Sequence, residues 1–270
     1  MKKIAIVTGG SSGIGKAAAL MLCENGYTVY EFSRRGENYG SIFHITADVT
    51  NPASIAAAAA KVIEKEGRID LLVNNAGFGI SGPVEFTDPA DAHAQLEVNF
   101  YGAFNCIQAV LPQMRAQASG RIINLSSVAA PIAIPYQSFY SAAKAAINSL
   151  TLALRNEVRP FGIQVCAVQP GDIRTGFTAA RKKSHAGSHI YKSLDRAVAV
   201  MEHDEQNGMA PEAVAKVILK AANAKKCRAL YTVGAQYKLF TLINKLLPAT
   251  TVNWLGWADI PADTAPKQNR

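Results

Sequence analysis

Near its start the chain reads Lys3-Ile4-Ala5-Ile6-Val7-Thr8-Gly9-Gly10-Ser11-Ser12-Gly13-Ile14-Gly15. The apolar run over 4–7 has the length of a buried strand, and the residues that follow the glycines are typical of a helix. Glycine has no Cβ atom, so the turn between the two elements lets the backbone approach a ligand closely. The amides and the positive dipole end of the next helix then face that ligand. The stretch therefore predicts a strand–turn–helix unit that binds a phosphate group.

Short β-rich runs alternate with longer helical patterns along the rest of the chain, as in parallel βαβ units. We expect strands at 3–7, 28–32, 42–46, 71–73, 121–125, 163–168 and 230–233. We expect helices at 14–25, 50–66, 89–114 and 139–158, another from residue 210, and irregular structure over 172–209. The predicted fold class is α/β: one doubly wound parallel sheet (Rossmann) of about seven strands, with helices on both faces, in a single domain over 1–270.

The composition is typical of a protein with a large core in a reducing compartment. Of the 270 residues 49% are hydrophobic, and the four cysteines are scattered without metal-ligand spacing. We therefore expect a cytoplasmic location. The first apolar run is too short for a signal peptide, and no stretch reaches the roughly 18 apolar residues of a membrane span. We expect no integral membrane association.

The formal net charge of +8 is interpreted as a solvated basic surface that attracts an anionic ligand. The basic residues cluster at Arg181-Lys182-Lys183 and at Lys225-Lys226 and are otherwise dispersed. They are not interleaved with the aromatic residues on which bases stack, so we expect no nucleic-acid partner.

The glycine-rich turn supplies a first group of candidate cofactor-binding residues. Its spacing, Gly-xxx-Gly-x-Gly, differs from the usual GxGxxG fingerprint, but its place between the first strand and the first helix is the context that nucleotide binding requires. The candidates are Gly9, Ser11, Ser12, Gly13, Ile14 and Gly15.

The end of the second strand predicts which nicotinamide cofactor binds. A carboxylate there accepts the ribose 2′-OH of NAD, whereas an arginine accommodates the 2′-phosphate of NADP. Ser33 stands where the carboxylate is expected, and Arg34 and Arg35 follow it. Guanidinium groups bind phosphate through paired hydrogen bonds, so the sequence favours NADP(H). If the strand ends earlier, Glu31 takes the carboxylate's place and NAD(H) is favoured.

Three side chains in the middle of the chain form a candidate proton-transfer site. Tyr140 and Lys144 are four residues apart and share one face of a predicted helix, and Ser127 follows the strand at 121–125. A free phenol has a pKa of about 10, and both a nearby ammonium and an oxidised nicotinamide ring favour its ionised form. Ser127 would stabilise charge on a substrate oxygen while Tyr140 exchanges the proton and the cofactor exchanges hydride.

Each of these features has an ordinary structural explanation as well. A Tyr-xxx-Lys pattern is common on amphipathic helices, and two serines after a strand commonly form a turn or a cap. The hypothesis depends on their joint occurrence behind a phosphate-binding turn.

Taken together, these motifs resemble one family, the short-chain dehydrogenases/reductases, and specifically its single-domain branch. The matching positions occur in the family's order and spacing from residue 4 to about residue 176. They are Thr8–Gly15, Asp48-Val49, Asn74-Asn75-Ala76-Gly77, Asn99, Ser127, Tyr140, Lys144, Pro170-Gly171 and Thr175. The resemblance implies a Rossmann-fold oxidoreductase that interconverts alcohols and carbonyl compounds.

The resemblance also implies roles at the adenine end of the cofactor. Asp48, with Val49 beside it, would contact the adenine, and Asn75-Ala76-Gly77 would pass close to the adenine ribose. Relatives that use NADP often carry a basic residue where this chain has Ser12. The NADP(H) prediction therefore depends on the end of the second strand.

At the other end of the cofactor the resemblance implies a catalytic set and a nicotinamide site. Asn99 would hold the water through which Lys144 relays protons, and Tyr140 and Lys144 would also contact the cofactor. The catalytic set is Asn99, Ser127, Tyr140 and Lys144. The residues implied at the nicotinamide are Pro170, Gly171, Ile173 and Thr175.

Residues 176–209, the lid segment, are expected to cover the substrate, because this part varies most in the family. His185 and His189 within it lack a third ligand, so no metal is predicted. The acidic run Glu202-His203-Asp204-Glu205 is interpreted as a solvated helix face.

The C-terminal extension, about 235–270, is amphipathic over 237–248 and contains Trp254. The ordinary explanation of this pattern is a helix that packs on the core. The alternatives are that it forms an apolar wall for a bulky substrate or contacts a membrane surface peripherally. It resembles the 17β-hydroxysteroid and retinol dehydrogenases, which implies a large hydrophobic alcohol or ketone.

Three functions are compatible with the sequence. The first is an NADP(H)-dependent oxidoreductase of a bulky hydrophobic alcohol/ketone pair, such as a steroid or retinoid. The second is a 3-oxoacyl thioester reductase whose basic lid segment recruits an acidic carrier. The third is a non-catalytic NADP-binding regulator, since members of a fold can keep the cofactor site and lose catalytic activity. The helices at 89–114 and 139–158 are apolar on more than one face, so we expect a homodimer or homotetramer.

Overall fold

The computed structural model of the protein describes residues 2–258; Met1 and the end of the predicted C-terminal extension, 259–270, lie outside the described residues. Within them, the main sheet has seven strands: β1 Lys3–Thr8, β2 Tyr27–Ser33, β3 Ile42–Thr46, β4 Leu71–Asn74, β6 Gly120–Leu125, β7 Ile163–Gln169 and β9 Leu230–Thr232. They are all parallel, in the order β3-β2-β1-β4-β6-β7-β9. The chain reverses its direction of winding between β1 and β4, and ligands of such sheets bind beyond that point.

Helices cover both faces of the sheet. They are α1 Gly13–Glu24, α2 Pro52–Glu66, α3 Pro89–Leu96, α4 Gly102–Ala116, α5 Ser138–Glu157, α6 Phe177–Ala180, α7 Leu194–Gln206, α8 Pro211–Asn223, α9 Ala235–Leu246 and α10 Ala249–Ala258. One buried apolar cluster joins the sheet to α1 and α8, and a second joins it to α2, α4 and the end of α5. The predicted doubly wound α/β fold is confirmed.

Local sequence explains where these helices start and stop. At the start of α2, the side chain of Asn51 accepts a hydrogen bond from the backbone amide of Ser54 at 3.1 Å, and Pro52 occupies the first helical position. The helix ends at Gly67, whose φ of +70° few other residues adopt readily.

The lid segment is more regular than the sequence analysis predicted, so the expectation of irregular structure over 172–209 was wrong. It contains α6, a short strand β8 at Lys182–Lys183 that pairs with β5 at Ile80–Ser81, and the thirteen-residue α7. The helical signal was present: Leu194, Ala197 and Val198 are buried and follow the i, i+3, i+4 spacing of an amphipathic helix. The surrounding polar residues obscured it.

The predicted helix at 89–114 also differs in detail from the structure. A single π-helical turn, Glu97–Tyr101, separates α3 from α4. Such turns insert one extra residue into a helix and occur frequently at functional sites. Here the turn contains Asn99, which is buried.

The described part of the C-terminal extension forms α9 and α10. Their outward face carries large apolar side chains: Leu239, Phe240, Leu242, Leu246 and Trp254 are each more than half exposed. Among the helices of residues 2–258, none combines the length and hydropathy that crossing a membrane requires.

Candidate active site

A cavity of about 350 Å³ lies at the carboxyl edge of the sheet, beyond the ends of β1, β4, β6 and β7. Most of the predicted site residues meet there. Those that line it are Gly9, Ser11, Ser12, Gly13, Ile14, Asn75, Ala76, Gly77, Ser127, Tyr140, Lys144, Pro170, Gly171, Ile173 and Thr175. The topology explains this, because the loops after parallel strands share one edge of the sheet.

The turn after β1 has the shape of an anion cradle. Gly9 and Gly13 have φ of +64° and +53°, a region that glycine adopts without strain. A side chain at Gly15 would overlap with the carbonyl oxygen of Gly9, so the third glycine allows the turn to close. Ser12 precedes α1 without capping it through its side chain, which leaves the first amides of the helix available to a ligand.

A second turn, after β4, is fixed against this cradle. The side-chain nitrogen of Asn75 donates to the carbonyl oxygens of Thr8 and Gly9, at 3.0 and 3.2 Å. The Thr8 hydroxyl accepts hydrogen bonds from the amides of Asn75 and Ala76, both at 3.0 Å. These bonds hold one wall of the cavity rigid. The cradle and this wall fit an extended dinucleotide.

Six predicted cofactor residues lie at the same sheet edge but outside the cavity wall: Gly15, Ser33, Arg34, Arg35, Asp48 and Val49. Arg34 and Arg35 are exposed just after β2. The Asp48 carboxylate accepts hydrogen bonds from the backbone amide and the hydroxyl of Thr50, at 3.0 and 2.8 Å. The bond from the Thr50 amide is the main cause that lowers the pKa of Asp48, and the charge of Arg34 contributes.

Glu31, the alternative ribose-binding carboxylate, faces inward from β2. It is fully buried, and its carboxylate contacts the ring nitrogen Nδ1 of His44 and accepts from the Ser33 hydroxyl at 3.2 Å. The strand continues to Ser33, as the NADP(H) interpretation assumed.

Tyr140 and Lys144 lie on the first turns of α5 and both face the cavity. The Lys144 ammonium is 5.7 Å from the centre of the Tyr140 ring and donates a 2.7 Å hydrogen bond to the carbonyl oxygen of Leu125. Burial raises the pKa of Tyr140 to about 12, and a hydrogen bond with Ser127 opposes that rise. Burial lowers the pKa of Lys144, which is only 6% exposed, to about 8.

Ser127 joins this pair from the loop after β6. Its hydroxyl oxygen accepts a hydrogen bond from the Ala129 amide at 3.1 Å and lies 3.5 Å from the carbonyl oxygen of Pro170. Ser127 and Lys144, which are buried, and Tyr140, which is partly buried, therefore form one polar cluster beside the predicted nicotinamide end of the cavity.

Asn99 is close to the cavity but does not line it. Its side chain accepts from the amide of Phe78 at 3.0 Å and donates to the carbonyl oxygen of the same residue at 2.9 Å. It also restricts the turn at Gly77, where an added Cβ would lie 3.1 Å from its oxygen. In this structure the Asn99 side chain holds the 77–78 turn in place.

The structure also brings residues into the cavity that the sequence analysis did not predict. Met201 and Glu205, four residues apart on α7, close it from the lid segment, and Asp172 lines it from the turn after β7. The apolar periodicity of α7 could have predicted the helix on which Met201 and Glu205 lie. The others are Phe78, Leu125, Ser126, Val128, Ile134, Gln137, Gly176, Phe177 and Ala180.

Two interpretations of charged segments were wrong in part, although Lys182, Lys183, His203 and Asp204 are exposed as expected. The run 202–205 is not simply solvated, because Glu205 accepts from the Thr178 hydroxyl at 2.6 Å and forms an ion pair with Arg181. The basic cluster 181–183 is not a free basic surface either. The Arg181 side chain is 0% exposed, and Lys182 and Lys183 form 2.7 Å ion pairs with acidic residues of α3 and α7. The acidic partners of residues 181–183 are distant in sequence, so these ion pairs could not be predicted from the sequence.

His185 contacts Asp195, at 2.7 Å between Nδ1 and the carboxylate. Among the described residues, no three histidine, cysteine or acidic side chains are grouped as metal ligands.

Comparisons with known proteins agree with this geometry. The family model of the short chain dehydrogenases matches residues 3–186. A 3-ketodihydrosphingosine reductase of Bacteroides thetaiotaomicron is 42% identical over 227 residues, which are 83% of this chain and 84% of that protein. A short-chain dehydrogenase from Streptomyces avermitilis has a similar structure, with a TM-score of 0.82, 30% identity and coverage of 96% of this chain and 97% of that one.

The structure of ElxO with NADP bound superimposes with a TM-score of 0.74 at 28% identity, over 88% of this chain and all of ElxO. The family model covers six of the seven strands of the main sheet, the cradle and the first part of the lid segment. The chain belongs to the short-chain dehydrogenase/reductase family, oxidoreductases whose Rossmann fold binds a nicotinamide cofactor.

Proposed function

We propose that the protein is an NADPH-dependent carbonyl reductase of a bulky hydrophobic ketone, with a long-chain 3-keto sphingoid base as the first candidate substrate. The observation that carries the proposal is the meeting of Ser127, Tyr140 and Lys144 in one buried cavity that opens onto the glycine cradle. A bound nicotinamide supplies the hydride for such a reduction.

The residues of this chain account for the proton and the developing charge. Since burial raises the pKa of Tyr140 to about 12, its phenol is protonated at neutral pH, and this is the form that a reduction requires. Tyr140 donates that proton to the substrate oxygen, and the Ser127 hydroxyl stabilises the charge on this oxygen. Lys144 lies beside the ring of the resulting phenolate and favours it electrostatically.

Preference for NADPH is supported by the end of β2. Arg34 and Arg35 are exposed there, next to a serine rather than a carboxylate, and the Glu31 carboxylate is buried in contact with His44. A guanidinium in this position suits a 2′-phosphate. ElxO, with bound NADP, has the same fold.

The substrate class is supported by the cavity and by one relative. The lid segment contributes Phe177, Ala180 and Met201 to the wall, and these suit an apolar chain or ring system. The relative with 42% identity is named for 3-ketodihydrosphingosine, a long-chain ketone with an amino group and a hydroxyl group near the carbonyl. Steroids and retinoids remain bulky alternatives, as the C-terminal extension suggested.

Two other functions are less well supported. A 3-oxoacyl thioester reductase was expected to recruit its acidic carrier through a basic lid segment, but Lys182 and Lys183 are already engaged in ion pairs. A non-catalytic regulator would not require the Ser127–Tyr140–Lys144 cluster.

The deciding experiment follows NADPH oxidation with a panel of ketones, in wild type and in the Tyr140→Phe variant. The panel contains a 3-keto sphingoid base, a ketosteroid, a retinal, a 3-oxoacyl thioester and small ketones. We expect turnover of a long-chain ketone and a loss of about 10²–10⁴-fold in kcat/KM in the variant. Turnover that survives the substitution, or a panel in which wild type reduces nothing, would refute the proposal.

A further inference from the structure

Two carboxylates in the cavity have no role in the chemistry described above. Asp172 lies in the turn after β7, and Glu205 lies on α7 in the lid segment, so they come from two independent elements. Both are close enough to the phenol to raise the pKa of Tyr140 through their charge, although burial is the larger cause. They line the same cavity as Tyr140.

The charges of these two carboxylates are compensated differently. Glu205 forms an ion pair with the buried Arg181 and accepts from the Thr178 hydroxyl at 2.6 Å. Asp172 accepts a hydrogen bond from the Tyr237 hydroxyl, a neutral group. Within residues 2–258 no lysine, arginine or histidine forms an ion pair with Asp172.

Other charged groups increase the cost of an ionised Asp172 rather than reduce it. Burial is the main cause that raises the pKa of Asp172, and the charges of Glu205 and Asp204 raise it further. The Lys144 ammonium donates to the carbonyl oxygen of Leu125 instead. A partly buried carboxylate with acidic neighbours is stabilised by a cation, and the open side of Asp172 faces the cavity.

The rest of the substrate end of the cavity is mostly apolar. Phe78, Val128, Ile134, Phe177 and Met201 contribute to its wall. An apolar wall that contains Asp172, a carboxylate without an ion-pair partner among the described residues, in the same cavity as Tyr140 fits a hydrophobic ketone that carries a positive charge close to its carbonyl.

We propose that Asp172, assisted by Glu205, binds the ammonium group of a hydrophobic 2-amino ketone and selects such ketones over neutral ones. This inference rests on the proposed reductase function and specifies its substrate class. In this proposal the ammonium lies on the carbon next to the carbonyl and pairs with the Asp172 carboxylate of the same cavity, while the carbonyl oxygen accepts hydrogen bonds from Tyr140 and Ser127.

The turnover test compares two substrates of equal chain length, a long-chain 2-amino-3-ketone and the same ketone without the amino group. The variant is Asp172→Asn, which retains an oxygen that accepts from Tyr237. The matched control is Asp204→Asn, which removes a nearby negative charge from the exposed side of α7 without touching the cavity. We expect the ratio of the two kcat/KM values to fall at least tenfold in Asp172→Asn, less in Glu205→Gln, and to stay unchanged in Asp204→Asn.

A binding test separates this inference from the proposed function. Calorimetry with NADP⁺ present measures the binding of a saturated long-chain 2-amino-1,3-diol and of its N-acetyl derivative, which has no positive charge. We expect wild type to bind the free amine at least tenfold more tightly, and Asp172→Asn to lose that preference. This result would stand even if no ketone were reduced.

Two outcomes would overturn the inference. One is a wild-type enzyme that binds or reduces the neutral compounds as well as the amines. The other is an Asp172→Asn variant in which both members of each pair weaken equally, because that result indicates a structural role for Asp172 in holding Tyr237.

Discussion

The ring of Tyr237 packs on Gly171, and its hydroxyl donates a hydrogen bond to the Asp172 carboxylate. Tyr237 belongs to α9, whereas Gly171 and Asp172 form the turn after β7 that lines the cavity. A second bond, from the side chain of Asn244 to the carbonyl oxygen of Pro131 at 3.2 Å, fixes α9 to the loop after β6. The C-terminal extension therefore supports two loops of the candidate active site.

Gly171→Ala is expected to disrupt this support. An added Cβ would overlap with the Tyr237 ring, and α9 must shift to relieve it. Overpacking of this kind costs about 1–3 kcal/mol. Urea unfolding should show the loss, and hydrogen exchange should show faster exchange in α9. Gly176→Ala is the matched control, because an added Cβ there meets nothing within 4 Å. Equal stability of the two variants would contradict the prediction.

The Arg34→Ala substitution is expected to weaken the binding of NADPH but not that of NADH. Losing a charge-assisted hydrogen bond to the 2′-phosphate costs about 1.5–3 kcal/mol, which corresponds to roughly a 10–150-fold rise in the Kd for NADPH. NADH binding should change little, and Ser33→Asp should shift the preference towards NADH. Titrations followed by cofactor fluorescence measure the Kd for NADPH and the Kd for NADH in each variant. An Arg34→Ala enzyme with its NADPH affinity intact would show that another residue holds the phosphate.

Arg181→Met is expected to destabilise the lid segment. Arg181 is fully buried and pairs with Glu205, so the substitution leaves a partly buried carboxylate without its cation. Breaking a buried ion pair from one side costs about 3–5 kcal/mol. Unfolding in urea should show a loss of this order, and the double variant with Glu205→Gln should recover part of it. No recovery in the double variant would mean that the Arg181 side chain stabilises the lid segment by packing alone.

The sheet was predictable because its strands are short apolar runs that follow one another in βαβ order. The positions of the cradle and of the pair Tyr140 and Lys144 were predictable as well, because they depend on local spacing in a strand–turn–helix unit or on one helix face. Within the described residues, local pattern also placed β9 correctly, since Leu230–Thr232 is a β-rich run after a helix.

The interior of the lid segment was not predictable by the same means. Arg181 and Glu205 are 24 positions apart, and their burial depends on α7 folding back over α6. Single-sequence patterns place charged residues on the surface by default, because burial of an unpaired charge is costly. Only the tertiary structure shows which acid pairs with which base, and that Asp172 forms no ion pair with a basic residue of 2–258.

Exposed apolar side chains on α4 and α5 lead to a prediction about assembly. Phe104 on α4 and Leu152 on α5 are 37% and 43% exposed, and Tyr101 in the adjoining π turn is 46% exposed. Exposed large apolar side chains, aromatic ones in particular, are enriched at protein interfaces. We propose that these helices form the contact of a homodimer or homotetramer. The Phe104→Asp variant should show a lower mass in sedimentation than wild type, and Leu20→Asp on α1 is the control. An unchanged mass in Phe104→Asp, or a monomeric wild type, would refute the proposal.

The buried ammonium of Lys144 predicts how stability depends on pH. Its pKa is about 8 in the folded protein and 10.5 in the unfolded chain, and burial is the cause. Between these values the unfolded chain binds the proton that the folded protein has released, so stability rises with pH. Below about pH 8 both states carry the charge, and the folded state bears its full desolvation cost.

Relative to Lys144→Met, the free energy of unfolding of wild type should therefore rise by about 2 kcal/mol between about pH 7.5 and about pH 9.5. The comparison removes contributions from other titrating groups, because both proteins share them. Stopping near pH 9.5 avoids the phenols, since the pKa of Tyr39 is also raised to about 12. Urea unfolding of both proteins across this range provides the measurement. Parallel stability curves would contradict the prediction, because they would show that Lys144 titrates as an exposed lysine does.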